Sequence, residues 1–241
     1  MIELVVFDMA GTTVFDGDAV NASFRAALAA HGVAADPAVI DRVMGYHKPE
    51  AIRVILETIG RPAGPAEVDA IHDVFVARMC DYYATDPAVR EIPGAAAAFA
   101  QLRAAGVKVA LDTGFGRRIA DAVLARLGWT VPGVVDATVT SDEVARGRPH
   151  PDMIRALMAR LGVTDPKAVA KVGDTAVDLD EGTNSGCALV VGVTTGAYTR
   201  EQLAARPHTH LLASVADVPA LVLDPDERRD VRPPVAAPAT Y

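Results

Sequence analysis

Five short apolar runs recur along this chain, and stretches of helical periodicity lie between most of them. The runs are ELVVFD at 3–8, VKVALD at 107–112, VVDATV at 134–139, VAKVG at 169–173 and ALVVGV at 188–193. Each is too short for a helix, and its successive side chains would be apolar on both faces, which describes a strand buried on both sides. Helical patterns occupy 94–105, 117–127, 151–162, 176–185 and 199–205. The last opens with Thr199 and Gln202 at capping-box spacing. Strands alternating with helices predict an α/β fold with a parallel sheet covered on both faces.

One segment breaks the alternation. Residues 17–90 contain no convincing strand and read as helices at 19–31, 37–44, 48–59 and 66–84, with Asp36-Pro37 and Gly64-Pro65 as breaks or starts. About 70 helical residues are too many for one crossover. The expectation is a helical cap at 17–90 inserted into a core formed by 1–16 and 91–223. The tail at 224–241, rich in proline and charge, is expected to be disordered or draped on the surface.

Composition narrows the function classes. With 241 residues, 51% of them hydrophobic, the chain can build one sizeable domain with a smaller one inserted. A net charge of −8 without a basic run speaks against nucleic acid or an anionic membrane as partner. No apolar run reaches the ~18–20 residues of a membrane span, and the first residues enter a strand directly, so no signal peptide is expected. Cys80 and Cys187 are far apart and form no metal-like pattern, as expected of a reduced, cytoplasmic protein. The oligomeric state is left open, a homodimer included.

Ligands of an open parallel sheet bind outside the carboxyl ends of its strands. Those ends can be read directly: Asp8, then Asp112-Thr113-Gly114, then Gly173-Asp174-Thr175 with Asp178 one turn on, and Gly147-Arg148-Pro149 between them. A lone strand-end Asp serves equally well as a turn or cap residue. Several together on one sheet edge repel one another unless a cation sits among them. Hard oxygen donors and a phosphate partner favour Mg²⁺. Arg148 and Thr113 would hold an oxyanion opposite the metal.

These segments resemble a known family. FDMAGTT, LDTG, GRPHPDM and KVGDTAVD are similar to the four ordered motifs of the haloacid dehalogenase superfamily, over roughly residues 1–222. The resemblance implies a Rossmann-like core with an inserted helical (C1-type) cap. It makes Asp8 a nucleophile that becomes phosphorylated, and gives Mg²⁺ to Asp8, Asp174 and the Ala10 carbonyl, with Asp178 supporting the metal through water. Thr113 and Gly114 would hold the phosphoryl group. Arg148, standing where many members have lysine, would orient the nucleophile and neutralise charge.

Ala10 sets this chain apart. Most phosphatases of the superfamily carry there a second aspartate that protonates the leaving alkoxide, and such help is worth ~10²–10⁴-fold. The phosphonatase branch has alanine, because a cap lysine forms a Schiff base with the substrate aldehyde and the C–P bond then breaks to an enamine. Its cap motif, Met-Gly-x-x-Lys, resembles MGYHKPEAIR, where Met44, Gly45 and Lys48 match. Three positions depart from that family: Ala51 replaces a histidine, Phe115 a tyrosine and Asp18 a cysteine, all proton-handling groups. His47 and His150 are candidate substitutes. The stretch TTGAYTREQLAARPHTHLL is similar to the sister group of phosphonatase-like hydrolases.

Lys48 has two readings, an imine-forming amine or a charge that binds a substrate anion; the second makes the lesser demand on its surroundings. Three functions follow: a Mg²⁺-dependent hydrolase cleaving the P–C bond of a small phosphonate, a phosphatase for a small organophosphate ester, or a non-catalytic protein binding a phosphorylated ligand.

Overall fold

The computed structural model describes residues 1–224, so the expectation for the tail falls, Asp224 aside, outside the described residues. The chain opens with Leu4–Asp8 (β1), buried at every position. Four helices follow in succession, Ala19–Ala30 (α1), Pro37–Asp41 (α2), Lys48–Thr58 (α3) and Pro65–Thr85 (α4), ahead of a fifth that leads into the next strand. The remainder alternates: Ala95–Ala104 (α5), Lys108–Thr113 (β2), Arg117–Leu127 (α6), Ala137–Thr140 (β3), Asp152–Leu161 (α7), Val169–Gly173 (β4), Ala176–Ser185 (α8), Leu189–Val193 (β5), Arg200–Ala204 (α9), His210–Leu212 (β6) and Val218–Leu223 (α10). The strands form one sheet in the order β3-β2-β1-β4-β5-β6, parallel throughout.

Strand periodicity of two divides the core. Val5 and Phe7, with Val109, Leu111, Ala170 and Val172, face one side, where α5, α6 and α10 pack through Phe99, Ile119 and Val218. Leu4 and Val6, with Ala110 and Val169, face the other, packed by α7, α8 and α9 through Ile154, Leu179 and Leu203. The pleat therefore directs Lys171, between Ala170 and Val172, to the side covered by α8. In register, Asp8 lies opposite Asp112, and the β4 end at Gly173 follows directly. Three strand ends thus meet at one edge.

The apolar interior of the helical insertion is continuous with the first side of the sheet. Phe24 of α1 stacks on Phe75 of α4 with centroids 4.4 Å apart, and Ile52, Ile55, Ile71 and Met79 are buried around them. It joins the core mainly where α4 packs on α6.

Several elements differ from expectation. The second helix stops at Asp41 rather than 44, because the chain turns through 42–47 to set up α3. The third strand runs Ala137–Thr140 rather than 134–139, since 134–136 remain in a turn. The sequence reading contained neither β6 nor α10. β6 is three half-buried residues on the sheet edge, and α10 is six residues with a proline in its first turn.

Candidate active site

β1 ends in a tight loop. The amides of Thr13 and Val14 donate to the Met9 carbonyl at 2.9 and 2.8 Å, and Gly11 N donates to the Val14 carbonyl at 2.8 Å. Thr13 Oγ1 donates to the Asp8 carbonyl at 2.8 Å, which pins the backbone and leaves the Asp8 carboxylate at the sheet edge. One carboxylate oxygen, Oδ1, accepts from Arg148 Nη1 at 2.6 Å; Oδ2 has no hydrogen-bond partner among the described residues. Across the edge, Asp174 Oδ1 accepts from Thr12 Oγ1 and Oδ2 from Ala197 N, both at 2.8 Å. Asp178 Oδ2 accepts from Thr175 N at 3.2 Å, which ties the start of α8 to the end of β4.

Behind this edge is a buried ionic cluster. Arg148 directs Nη1 to Asp8 and, at 3.0 Å, to Asp178; its Nε donates to Glu181 Oε2 at 3.1 Å, and Nη2 meets Asp112. Lys171 Nζ lies 3.0 Å from Glu181 Oε2 and 3.2 Å from Asp178 Oδ1, and also pairs with Asp112. Asp178 and Glu181 are three apart on α8, so helical geometry brings both onto the face that meets Lys171. All three nitrogens of Arg148 are thereby engaged, which fixes its plane towards Asp8. The guanidinium acts here as a rigid fork, a role an ammonium could not fill.

Charge does not balance among the protein groups alone. Asp8, Asp112, Asp174, Asp178 and Glu181 are buried against two buried cations in the cluster, Arg148 and Lys171. Burial pushes Asp8 up to about 6 despite the pull of Arg148. Burial, with Asp8 and Asp178 as neighbours, drives Asp174 well above the carboxylate range. Burial and Asp112 raise Glu181 to about 8. Burial opposes the charged forms of Arg148 and Lys171, but the carboxylates around them outweigh it and raise both. Oxygens of Asp8, Asp174 and Asp178 approach within 4.8 Å of one another. This donor set suits a hard divalent cation, whose charge would keep Asp8 and Asp174 ionised.

Above the edge lies a cavity of about 410 Å³. Asp8, Ala10, Lys48, Thr113, Gly114, Arg148 and Asp174 all line it; Asp178 does not, and sits behind the edge. Lys48 opens α3 in the roof and is 3% exposed, yet it has no hydrogen bond or ion pair among the described residues. Its amine lies 5.1 Å from the Phe115 ring centre and 5.6 Å from that of Phe24. Burial lowers its pKa to about 8, against the attraction of Asp8. The roof meets the floor through backbone: a β-carbon on Gly114 would lie 2.5 Å from the Gly45 carbonyl oxygen and 2.6 Å from that of Tyr46. His47 and His150 do not line the cavity.

A family model for haloacid dehalogenase-like hydrolases matches residues 2–186. The chain belongs to this family. It is an HAD-superfamily hydrolase of the phosphonatase-like branch. It is 32% identical over 237 aligned residues to a phosphonoacetaldehyde hydrolase of Bacteroides fragilis, covering 90% of this chain and 87% of that one. It is 30% identical to another from Pseudomonas fluorescens, with 94% of each chain covered. Among solved structures, a phosphonoacetaldehyde hydrolase-like protein from Oleispira antarctica superposes with a TM-score of 0.82 at 25% identity, over 95% of this chain and 93% of that one.

Asp112 reads from the sequence only as a strand end, without a role, and Lys171 and Glu181 have none in the motif reading. Lys171 carried a signal: a lone lysine in a five-residue strand that is otherwise apolar requires a buried counter-charge. Glu181 follows Asp178 at helical spacing, which would have nominated it as that counter-charge.

Proposed function

We propose that this hydrolase cleaves the P–C bond of a small phosphonate carrying an aldehyde, by way of a phosphorylated Asp8. The observation that carries this reading is the buried, unpartnered amine of Lys48 facing the cavity that Asp8 floors, with Ala10 where a proton donor would otherwise stand. With its pKa near 8, roughly one Lys48 in ten is a free amine at pH 7, against roughly one in 3000 for an ordinary lysine.

Lys48 condenses with the aldehyde to an iminium ion. Asp8 Oδ2, the oxygen not engaged by Arg148, attacks phosphorus; the P–C electron pair moves into the iminium and leaves a neutral enamine. The departing group is therefore never an alkoxide, and Ala10 is sufficient. The enamine carbon takes a proton from solvent to give an iminium; one water hydrolyses that to the phosphorus-free aldehyde and the Lys48 amine, and a second releases phosphate from Asp8. Thr113 and Gly114 line the cavity where the phosphoryl group would sit, and Arg148 holds Asp8 in its attacking orientation. Asp8, Asp174 and the Ala10 carbonyl, with Asp178 behind them, would hold Mg²⁺, whose charge would offset repulsion between the carboxylate and the phosphoryl oxygens.

A second reading, a phosphatase for small esters, draws on the Phe24 and Phe115 rings, whose faces favour the ammonium form of Lys48 as an anion clamp. Parallel assays on aldehyde phosphonates and phosphate esters with wild type, Lys48→Arg and Ala10→Asp test both. P–C cleavage lost in Lys48→Arg and not improved by Ala10→Asp supports the imine route. Ester hydrolysis that survives Lys48→Arg and rises in Ala10→Asp by part of ~10²–10⁴-fold supports the phosphatase.

A further inference from the structure

Imine chemistry at Lys48 needs a group that moves protons at the roof of the cavity. The carboxylates at its floor, Asp8 and Asp174, belong to the phosphoryl and metal positions. Three others line the same cavity: Asp16, Asp18 and Asp41. The Asp18 side chain is 62% exposed and paired with Arg25 at 3.0 Å. Asp41 is exposed and accepts from Asn21 Nδ2 at 2.6 Å. Asp16 alone is half-buried and free of an ion pair. Its Oδ1 accepts from Val20 N at 3.2 Å, so the start of α1 orients the carboxyl group; Oδ2 has no hydrogen-bond partner among the described residues. The Tyr82 hydroxyl donates to the Asp16 carbonyl at 3.4 Å and anchors the loop to α4.

We propose that Asp16 is the acid–base catalyst for Lys48, the pair sharing one proton between carboxyl and amine. The proposal rests on the imine reading of Lys48. In the condensation the amine lone pair forms the C–N bond, the carbonyl π electrons move to oxygen, and the nitrogen passes one of its protons to that oxygen, giving a neutral carbinolamine hydroxyl. The Asp16 carboxyl then gives its proton to that hydroxyl; the C–O bond breaks, water leaves, and the C=N⁺ bond forms. Asp16 remains as a carboxylate, the counter-ion of the iminium. Hydrolysis of the final iminium is the same step reversed, with Asp16 accepting the proton of the attacking water.

The surroundings of Asp16 suit this exchange. Burial raises it to about 6, opposed by the Val20 amide and then by Lys48, while Asp18 and Asp8 push it further up. Tyr82 and Tyr83 face it from α4. The Tyr83 hydroxyl is buried without a hydrogen-bond partner among the described residues, and Asp16 is the charge that acts on it most strongly. With Lys48 near 8, the pair holds a single proton between about pH 6 and about pH 8. Imine formation should therefore follow a bell in that window.

The test is to incubate the Mg²⁺-supplied protein with phosphonoacetaldehyde from pH 5.5 to 9.5, quench samples into borohydride at successive times, and follow the Lys48 adduct by mass spectrometry. Wild type should give a bell. Asp16→Asn should form the adduct about 10²-fold more slowly at pH 7, with a rate that rises through the Lys48 pKa to a plateau and has no alkaline fall. Asp16→Glu should retain the fall. An Asp16→Asn protein that keeps the wild-type rate, or keeps the bell, overturns the role of Asp16 while leaving the imine intact. Wild type that turns the aldehyde over with no adduct overturns the imine reading and this proposal together.

Discussion

Arg148 Nη1 and Asp8 Oδ1 lie 2.6 Å apart, both buried, joined across 140 residues of sequence. The contact occupies one oxygen of the carboxylate and leaves the other facing the cavity. Arg148 can hold that position because Glu181 and Asp112 brace its Nε and Nη2 from behind. The candidate nucleophile is thus oriented by a side chain that is itself immobilised, the condition for attack at a fixed phosphorus.

Asp8→Asn should abolish turnover. The amide fills the same volume and can still face Arg148, so the melting temperature should stay within a few degrees of wild type, while the attacking oxyanion is gone. Steady-state assays beside thermal denaturation check both halves. A variant retaining more than about a tenth of the wild-type rate has lost under ~1.4 kcal/mol of barrier, too little for a nucleophile.

Chelation should remove activity, and Mg²⁺ should restore it. Metal binding should also raise the melting temperature, because a ligand specific to the folded state at 100 times its Kd adds about 2.7 kcal/mol. Asp174→Ala should lose both the rescue and the thermal shift. Calorimetric scans with and without Mg²⁺ read this independently of turnover. Full activity in excess chelator, after verified removal of metal, contradicts it.

Glu181→Gln should flatten the pH dependence of stability. The wild-type carboxyl is raised from 4.5 to about 8, so between those values the folded chain keeps a proton that the unfolded chain has lost. Its contribution is present at the acid end of that window and declines as pH rises through it, by at most about 1.4 kcal/mol per pH unit. Glutamine can accept from Arg148 and Lys171 while donating to Asp112, and does not titrate. Asp8 and Asp174 contribute to both proteins, so the difference between their urea-unfolding free energies at pH 5.5 and pH 8 isolates Glu181. Equal slopes refute the assignment.

Gly114→Ala should impair catalysis more than folding. The new methyl would meet the carbonyls of Gly45 and Tyr46, and the loop leading to Lys48 would have to retreat. A fall in kcat/KM of about tenfold or more is expected, with the far-UV circular dichroism unchanged. Gly64→Ala, whose methyl meets nothing within 4 Å, is the control and should behave as wild type.

The sequence by itself determined the sheet class, the helical insertion after the first strand and the set of strand-end residues. Short runs buried on both faces have few alternatives to a parallel sheet, and such a sheet places its carboxyl ends along one edge whatever the strand order. Asp8, Thr113, Arg148 and Asp174 could therefore be grouped before any distance was known, and Lys48 joined them through its cap motif. Only the tertiary structure decided what stands behind and above that edge. Asp112, Lys171 and Glu181 form their cluster because β1, β2, β4 and α8 converge; helical spacing puts Glu181 beside Asp178, but the meeting of that helix face with Asp112 on β2 is a long-range pairing. Asp16 reads as an ordinary loop acid until the insertion folds over it; then the roof that buries Lys48 draws its carboxyl out of water. Burial and long-range proximity change what a titratable group can do, and both arise only when distant segments pack.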